Sequence, residues 1–179
     1  MKAKTMALAV LLATGLATMA AQDKYTLTAP GAPAFAEFRG YESWQVISVS
    51  NSDGVLATIL GNPAMIGALQ SGIPANGKPF PDGAKIAKIH YVPKKSESFP
   101  SATVPGVHHD TDFMVKDSKR FADSGGWGYS GFEHDVAAGT WRPRNMSDVP
   151  PEGHDAKCGF ACHTIVKARD YVFTEYADR

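Results

Sequence analysis

The sequence predicts an α+β domain built on a mainly antiparallel β-sheet with a few short helices. Short segments rich in β-branched and aromatic residues recur along the chain between turn residues, which is typical of strands. Helical signals are brief and do not alternate with the strands, so the parallel sheet of a βαβ protein is not indicated. The 179 residues contain no internal repeat and suffice for one hydrophobic core.

The composition is that of a globular protein, with 44% hydrophobic and 20% charged residues. Lys and Arg together number 18, and so do Asp and Glu. Binding to a phosphate backbone requires a basic excess that this chain lacks. We therefore expect no nucleic-acid partner.

The first 21 residues have the pattern of a cleaved secretory signal peptide. Lys2 and Lys4 precede an apolar stretch over residues 6–16, and small residues follow before Gln22. Because a bilayer-spanning helix needs ~20 apolar residues, no stable membrane anchor is expected. Export would bring the mature protein into an oxidising compartment, which we expect to be a bacterial periplasm.

The mature chain begins with an irregular arm, and the regular part follows it. Residues 22–40 are rich in Ala, Pro and Gly and are predicted to be this arm, followed by a single domain over residues 41–179. In that domain, Trp44–Ser50 and Val55–Leu60 have strand composition, and the four residues between them have turn chemistry. The first two strands are therefore expected to form a hairpin.

A helix and a third strand come next. Asn62 can cap a helix, Pro63 suits its first position, and Gly72 suits its end. The segment Ala84–Val92 alternates as a strand does. Period-two alternation puts four of its residues on one face: Ala84, Ile86, Lys88 and His90.

The remaining elements are shorter or more irregular. A strand is predicted around Val107–Val115, then a short helix capped by Asp117, then an aromatic strand around Trp127–Phe132. Residues 135–157 carry many prolines and are predicted to be a long surface loop leading to the first cysteine.

The chemistry is concentrated in the motif Cys158-Gly159-Phe160-Ala161-Cys162-His163, which contains both cysteines of the chain. Covalent haem attachment needs two thiols for thioether bonds and an adjacent imidazole that reaches the iron. The usual spacer has two residues and here it has three, but positions i and i+4 of a helix still share a face. The motif predicts one haem c bound through Cys158, Cys162 and His163.

Three other interpretations fit the cysteine pair less well. A disulfide would close only a small loop and leaves His163 without a role. A structural zinc site needs two more ligands, and His154 is the only further one nearby. A copper site of the exported thioredoxin-like type would call for a βαβ pattern around the motif, which is missing.

Several other residues are candidates for the pocket around the cofactor. His90 shares a strand face with Lys88 and is a candidate acid or base. Glu133, at the end of the aromatic strand, is a candidate pocket carboxylate. Met114 could supply a sixth iron ligand, which would make the protein an electron carrier. His108 and His109 lie on opposite faces of one strand, so only one of them could face a cofactor.

Several stretches together resemble the cytochrome P-460 family, which includes the related β-rich cytochromes c′. They are Asn62-Pro63, Phe80-Pro81-Asp82-Gly83, the run from Val115 to Ala122, Trp127, the haem motif, and the run from Asp170 to Thr174. The resemblance implies an antiparallel sheet, a homodimer, and one c-type haem whose iron has histidine on one side and an open position on the other.

The resemblance also implies an activity and a third covalent bond. Cytochromes P-460 oxidise hydroxylamine and link a lysine amine to a haem meso carbon, and the matching position here is Lys88. The resemblance thus implies a small nitrogenous substrate and a soluble electron acceptor. The sequence departs from the enzymes in its longer cysteine spacer and in Ala57, which stands where they carry arginine. The alternatives are a non-catalytic protein that binds nitric oxide or carbon monoxide, and an electron carrier.

Overall fold

The computed structural model describes residues 22–144 and 156–177, with all side chains except those of residues 156–158. The expected signal peptide and His154 lie outside this range. The strands form one six-stranded antiparallel sheet in chain order. They are β1 (Gln45–Ser52), β2 (Val55–Gly61), β3 (Lys85–Lys95), β4 (Thr103–Lys116), β5 (Trp127–Asp135) and β6 (Thr140–Pro143).

Two short α-helices accompany the sheet, α1 (Pro63–Gln70) and α2 (Ala156–His163). In the described residues, the remaining helical structure consists of short 3-10 segments: Lys24–Thr26, Phe35–Phe38, Tyr41–Ser43, Ala122–Ser124 and Thr164–Arg169. The predicted α+β class with a mainly antiparallel sheet is confirmed. In the described part of the chain, no helix is both long enough and apolar enough to cross a membrane.

The first elements form where their sequence signals lie. The β1–β2 hairpin pairs Ser52 with Val55 across a two-residue turn. Helix α1 begins after Asn62, whose side-chain oxygen accepts a hydrogen bond of 3.0 Å from the backbone nitrogen of Met65. Pro63 occupies the first helical position, as its fixed φ favours.

Two predictions about the second half of the chain were wrong. Asp117 does cap a turn, by accepting a hydrogen bond of 3.0 Å from the Arg120 nitrogen, but of residues 118–123 only Phe121 is buried, and no α-helix continues from the turn. Within the predicted loop over residues 135–157, Thr140–Pro143 form β6, and residues 145–155 lie outside the described part. In this strand Trp141 stacks on His134, its cross-strand partner in the β5–β6 hairpin, and packs edge-on against Phe35, which is distant in sequence.

The sheet has two differently covered faces. The face that we call the arm face is covered by the N-terminal arm, whose Phe35 and Phe38 are completely buried against strand residues such as Phe113 and Phe132. The opposite face, the helix face, carries α1, α2 and the C-terminal segment. Its buried residues include Ile59, Ile86, Met114, Trp127 and Tyr129.

Candidate functional site

A cavity of about 930 Å³ lies between the helix face of the sheet and the part of the chain that contains α2. This volume is within the range of small-molecule and cofactor sites. The sheet side contributes apolar side chains and three charged ones, and the helix side contributes the end of the haem motif. The principal lining residues are Ile59, Ile86, Met114, Tyr129, Lys88, Asp112, Arg144, Gly159, Cys162 and His163.

His163 is held in one orientation by the backbone of the C-terminal segment. Its Nδ1 lies 2.6 Å from the carbonyl oxygen of Tyr171. Because a carbonyl only accepts, Nδ1 carries the proton and Nε2 is left with the lone pair that a metal requires. Burial lowers the pKa of His163, which favours the neutral imidazole. The rings of Tyr129 and Phe173 each lie 4.9 Å from the imidazole.

Helix α2 contains both cysteines at positions i and i+4. The thiol of Cys162 is free and lines the cavity, whereas the side chain of Cys158 lies outside the described part. The helix lies directly against β5 at Gly159, where an added Cβ would come within 2.3 Å of the Cβ and Cγ atoms of Tyr129. The first spacer residue therefore must lack a side chain for the helix to adopt this position.

Three charged side chains form one wall of the cavity. Lys88 on β3 and Asp112 on β4 are opposite each other in the strand register. Arg144, just after β6, donates hydrogen bonds to Asp112 and, over 2.7 Å, to Asp110. Gly131 makes room for this arrangement, because an added Cβ would lie 2.8 Å from Asp112 Oδ1 and 3.3 Å from Arg144 Cζ.

The two carboxylates differ in acidity. Burial alone would raise the pKa of Asp110, but its hydrogen bond with His90 and the charge of Arg144 outweigh burial and lower the pKa to about 2. Burial raises the pKa of Asp112 above its usual value, although Arg144 and His90 act in the opposite direction. At neutral pH, Asp110 is therefore a permanent anion, and Asp112 is the carboxylate that takes up a proton more readily.

His90 lies behind this wall. Its Nδ1 is hydrogen-bonded to Asp110 Oδ1 and lies 3.9 Å from Asp112 Oδ2. The side-chain ligand atoms of His90, Asp110 and Asp112 all lie within 4.8 Å of one another, a spacing that could hold a metal ion. The guanidinium of Arg144 already pairs with both carboxylates, however, which reduces their attraction for a cation.

The residues predicted from the sequence fall into two groups. Lys88, Cys162, His163 and Met114 line the cavity. His90 contacts the charged wall from behind, and Glu133 is not among the lining residues but pairs with Arg142.

His108 and His109 do not line the cavity either. His108 faces Trp141 on the arm face, and His109 Nδ1 lies 2.5 Å from Asp110 Oδ2.

Sequence reasoning missed Asp112 and Arg144. Asp112 could have been found from the alternation of β4, had its register with Lys88 been known. Arg144 follows a strand that was predicted to be loop, and no local signal marks it.

The residues present fit a haem. The cavity combines apolar walls with a half-buried imidazole whose Nε2 is available and with a cysteine thiol beside it. The hydroxyl of Tyr129 is buried at the cavity and has no hydrogen-bond partner. Buried hydroxyls are normally paired, so an unpaired one in a cavity wall is consistent with a site for a further group.

Comparison with known proteins gives one family. The model of the family described as Cytochrome P460 matches residues 38–174, a range that includes the whole sheet, both α-helices and His163. No curated protein matches the chain.

Proposed function

The chain belongs to the cytochrome P460 family and is a c-type haem protein, and on this premise we propose that it oxidises hydroxylamine or a related small nitrogen species. The observation that carries this proposal is the charged wall of Lys88, Asp112 and Arg144 in the cavity that also contains His163. A cavity that only bound a diatomic gas would not need ionisable groups at this place. Oxidation of hydroxylamine does, because protons leave the substrate together with electrons.

The chain's own residues would hold one haem. Cys158 and Cys162 would form the thioether bonds, and His163 Nε2 would bind the iron. The haem, when bound, would supply a metal that accepts electrons from a substrate. Apolar side chains such as Ile59 and Ile86 would exclude water from the cavity.

The side chains of the charged wall would take part in proton transfer. Asp112, whose pKa is raised by burial, would accept a proton from the bound substrate at a carboxylate oxygen. Arg144 would orient an oxygen of the substrate with its guanidinium. Asp110 would stay ionised and keep Arg144 and His90 in place.

We further propose where the protein is located and which partners it has. The N-terminal pattern favours export to the periplasm, where a soluble protein would accept the electrons. The family resemblance favours a homodimer. The balanced charge of 18 basic and 18 acidic side chains disfavours nucleic acid as a partner.

A second candidate function is non-catalytic binding of nitric oxide or carbon monoxide. It is favoured by the apolar part of the cavity, which Ile59, Ile86 and Met114 line, and by Ala57 in place of the arginine of the enzymes. An electron carrier would in addition need Met114 as a sixth ligand.

The experiment that separates these functions uses haem-loaded protein, hydroxylamine and a soluble electron-accepting dye. We expect steady turnover in the wild type and a fall of about 10²-fold or more in Asp112→Asn, since positioned acid–base groups contribute about that much. The exposed Asp123→Asn is the matched control and should not change the rate. Tight binding of nitric oxide without turnover would refute the enzymatic proposal and support the second function.

The Lys88 bond is tested separately by mass spectrometry of a protease digest. If the amine of Lys88 is bonded to the haem, the peptide containing Lys88 stays attached to the peptide with Cys158 and Cys162. Lys88→Arg should release it. A free Lys88 peptide from the wild type would show that no such bond exists.

A further inference from the structure

A largely buried ion pair, formed by residues that do not line the cavity, has no part in the chemistry so far described. The ammonium nitrogen of Lys116, at the end of β4, lies 2.8 and 2.9 Å from the two carboxylate oxygens of Asp170. The side chains are only 6% and 12% exposed. Because the pair is largely removed from solvent, water and salt screen its attraction less than that of a surface pair.

Further contacts fix both charged groups. Lys116 also donates a hydrogen bond of 3.0 Å to the carbonyl of Gly125 and lies 5.1 Å from the centre of the Trp127 ring. Asp170 accepts a hydrogen bond of 2.8 Å from the backbone nitrogen of Phe80. The pair thus ties the C-terminal segment to the end of β4, to the turn before β5 and to the segment before β3.

The backbone next to Asp170 has an unusual conformation. Asp170 and Tyr171 have φ values of +49° and +64°, in the left-handed region that residues other than glycine seldom adopt. Two successive residues of this kind persist only where the surrounding contacts determine them. The contacts of Asp170 with Lys116 and Phe80 hold the backbone in this conformation.

The result of this conformation is the position of one carbonyl. The carbonyl oxygen of Tyr171 lies 2.6 Å from His163 Nδ1, and the Tyr171 ring packs against Phe160 of α2. A partner of this kind fixes the orientation of a metal-binding imidazole and increases its basicity. A continuous series of contacts therefore runs from Lys116 through Asp170 and Tyr171 to His163.

We propose that Lys116 and Asp170 are positioning residues for His163: their ion pair holds the Tyr171 carbonyl against Nδ1 and so sets the strength of the bond between Nε2 and iron. This inference rests on the part of the proposed function in which His163 is the axial ligand. It does not depend on which substrate is oxidised.

The test uses variants of the haem-loaded protein. Removal of one partner alone leaves an unpaired buried charge, which can prevent folding. The informative variant is therefore Lys116→Met with Asp170→Asn, because it contains neither charge and the asparagine oxygen can still accept from the Phe80 nitrogen. The matched control is Arg120→Met, which breaks the more exposed pair of Arg120 with Glu37.

The readouts are spectroscopic and do not need substrate. We expect the iron–histidine stretching frequency of the reduced double variant to fall and its reduction potential to rise, because a less basic imidazole stabilises the oxidised iron less. Nitric oxide, used as the probe, should displace His163 about tenfold more readily, the scale on which such supporting contacts act. Arg120→Met should match the wild type in all three measurements.

Two outcomes would overturn the proposal. One is a folded double variant whose stretching frequency and potential equal those of the wild type. The other is the lack of any iron–histidine vibration in the wild type, which would mean that His163 is not the ligand. A protein that shows the expected shifts but does not oxidise hydroxylamine would refute the proposed enzymatic function and leave this inference standing.

Discussion

Replacement of Gly159 by alanine tests whether α2 must lie directly on β5 for the haem site to form. An added Cβ would lie 2.3 Å from the Cβ and Cγ atoms of Tyr129, whereas carbon atoms in contact are ~3.5–4.0 Å apart. Rotation of the Tyr129 side chain does not relieve the overlap, because its Cβ is fixed to the strand. The helix must therefore move away from β5 by about 1 Å.

The expected size of the effect follows from two opposing contributions. Overpacking of a close contact costs about 1–3 kcal/mol, and a glycine-to-alanine change within a helix stabilises it by ~1 kcal/mol. We expect the free energy of unfolding of Gly159→Ala to fall by up to about 2 kcal/mol, as the net of these contributions. Gly67→Ala in α1 is the matched control, since nothing lies within 4 Å of the added Cβ, and should raise it by up to ~1 kcal/mol.

Urea unfolding of the haem-loaded proteins gives the two free energies, and intact mass gives the fraction of each variant that carries haem. We expect Gly159→Ala to lose both stability and haem attachment, because the shifted helix carries Cys158, Cys162 and His163. If Gly159→Ala were as stable as Gly67→Ala and fully loaded with haem, the close approach of α2 to β5 would not be required and the reasoning would be refuted.

Three further predictions concern charged residues. In Asp112→Asn, the fall in hydroxylamine turnover at acid pH should disappear, because only an ionised carboxylate accepts a proton. The raised pKa of Asp112 places this fall, in the wild type, at higher pH than an ordinary aspartate would give. pH–rate profiles measure it, and a variant that keeps the fall at acid pH would contradict the prediction. Asp110 has a pKa lowered to about 2 from 3.8, so its ionised form contributes about 2 kcal/mol of stability above pH ~4, which is lost as the pH falls toward 2. Urea unfolding between pH 7 and 2.5 should show this acid-dependent loss in the wild type and not in Asp110→Asn; equal slopes would exclude it. The ammonium of Lys24 lies 4.8 to 5.4 Å from the centres of four aromatic rings, so Lys24→Met should lower the free energy of unfolding by about 1–2 kcal/mol. Replacement of the exposed Lys94 by methionine should not lower it. Equal thermal unfolding of the two variants would count against the cation–π contribution.

Local signals were sufficient for most of the fold. The strands around Val55 and Trp127 and the helix after Asn62 form where their composition and caps predict them, because those signals act within a few residues. Alternation along β3 also correctly grouped Ile86 with Lys88, which both line the cavity. Cavity-lining residues could therefore be predicted from the sequence where the two-residue alternation of a single strand determines which face of the sheet they occupy.

The parts that could not be predicted depend on contacts between distant residues. Strand β6 packs on the N-terminal arm through the contact of Trp141 with Phe35, which is distant in sequence, and no local pattern predicts that contact. Arg144 reaches the cavity only because β6 pairs with β5 and Gly131 leaves space for its guanidinium. Glu133 lies on the same face of the sheet but pairs with Asp110, two residues along β4 from Asp112. Register, and not residue type, therefore decides that Asp112 is the pocket carboxylate.

The wall of the cavity links the proposed lysine bond to proton transfer. The positive charge of Lys88 lowers the pKa of Asp112, against the larger effect of burial. A bond from the Lys88 amine to a ring carbon would remove that charge, and the pKa of Asp112 would rise further. Asp110 would stay ionised, since Arg144 and His90 hold its pKa at about 2. A proton released in the cavity would therefore settle on Asp112, and the covalent bond at Lys88 would make its neighbour across the strands a better acceptor.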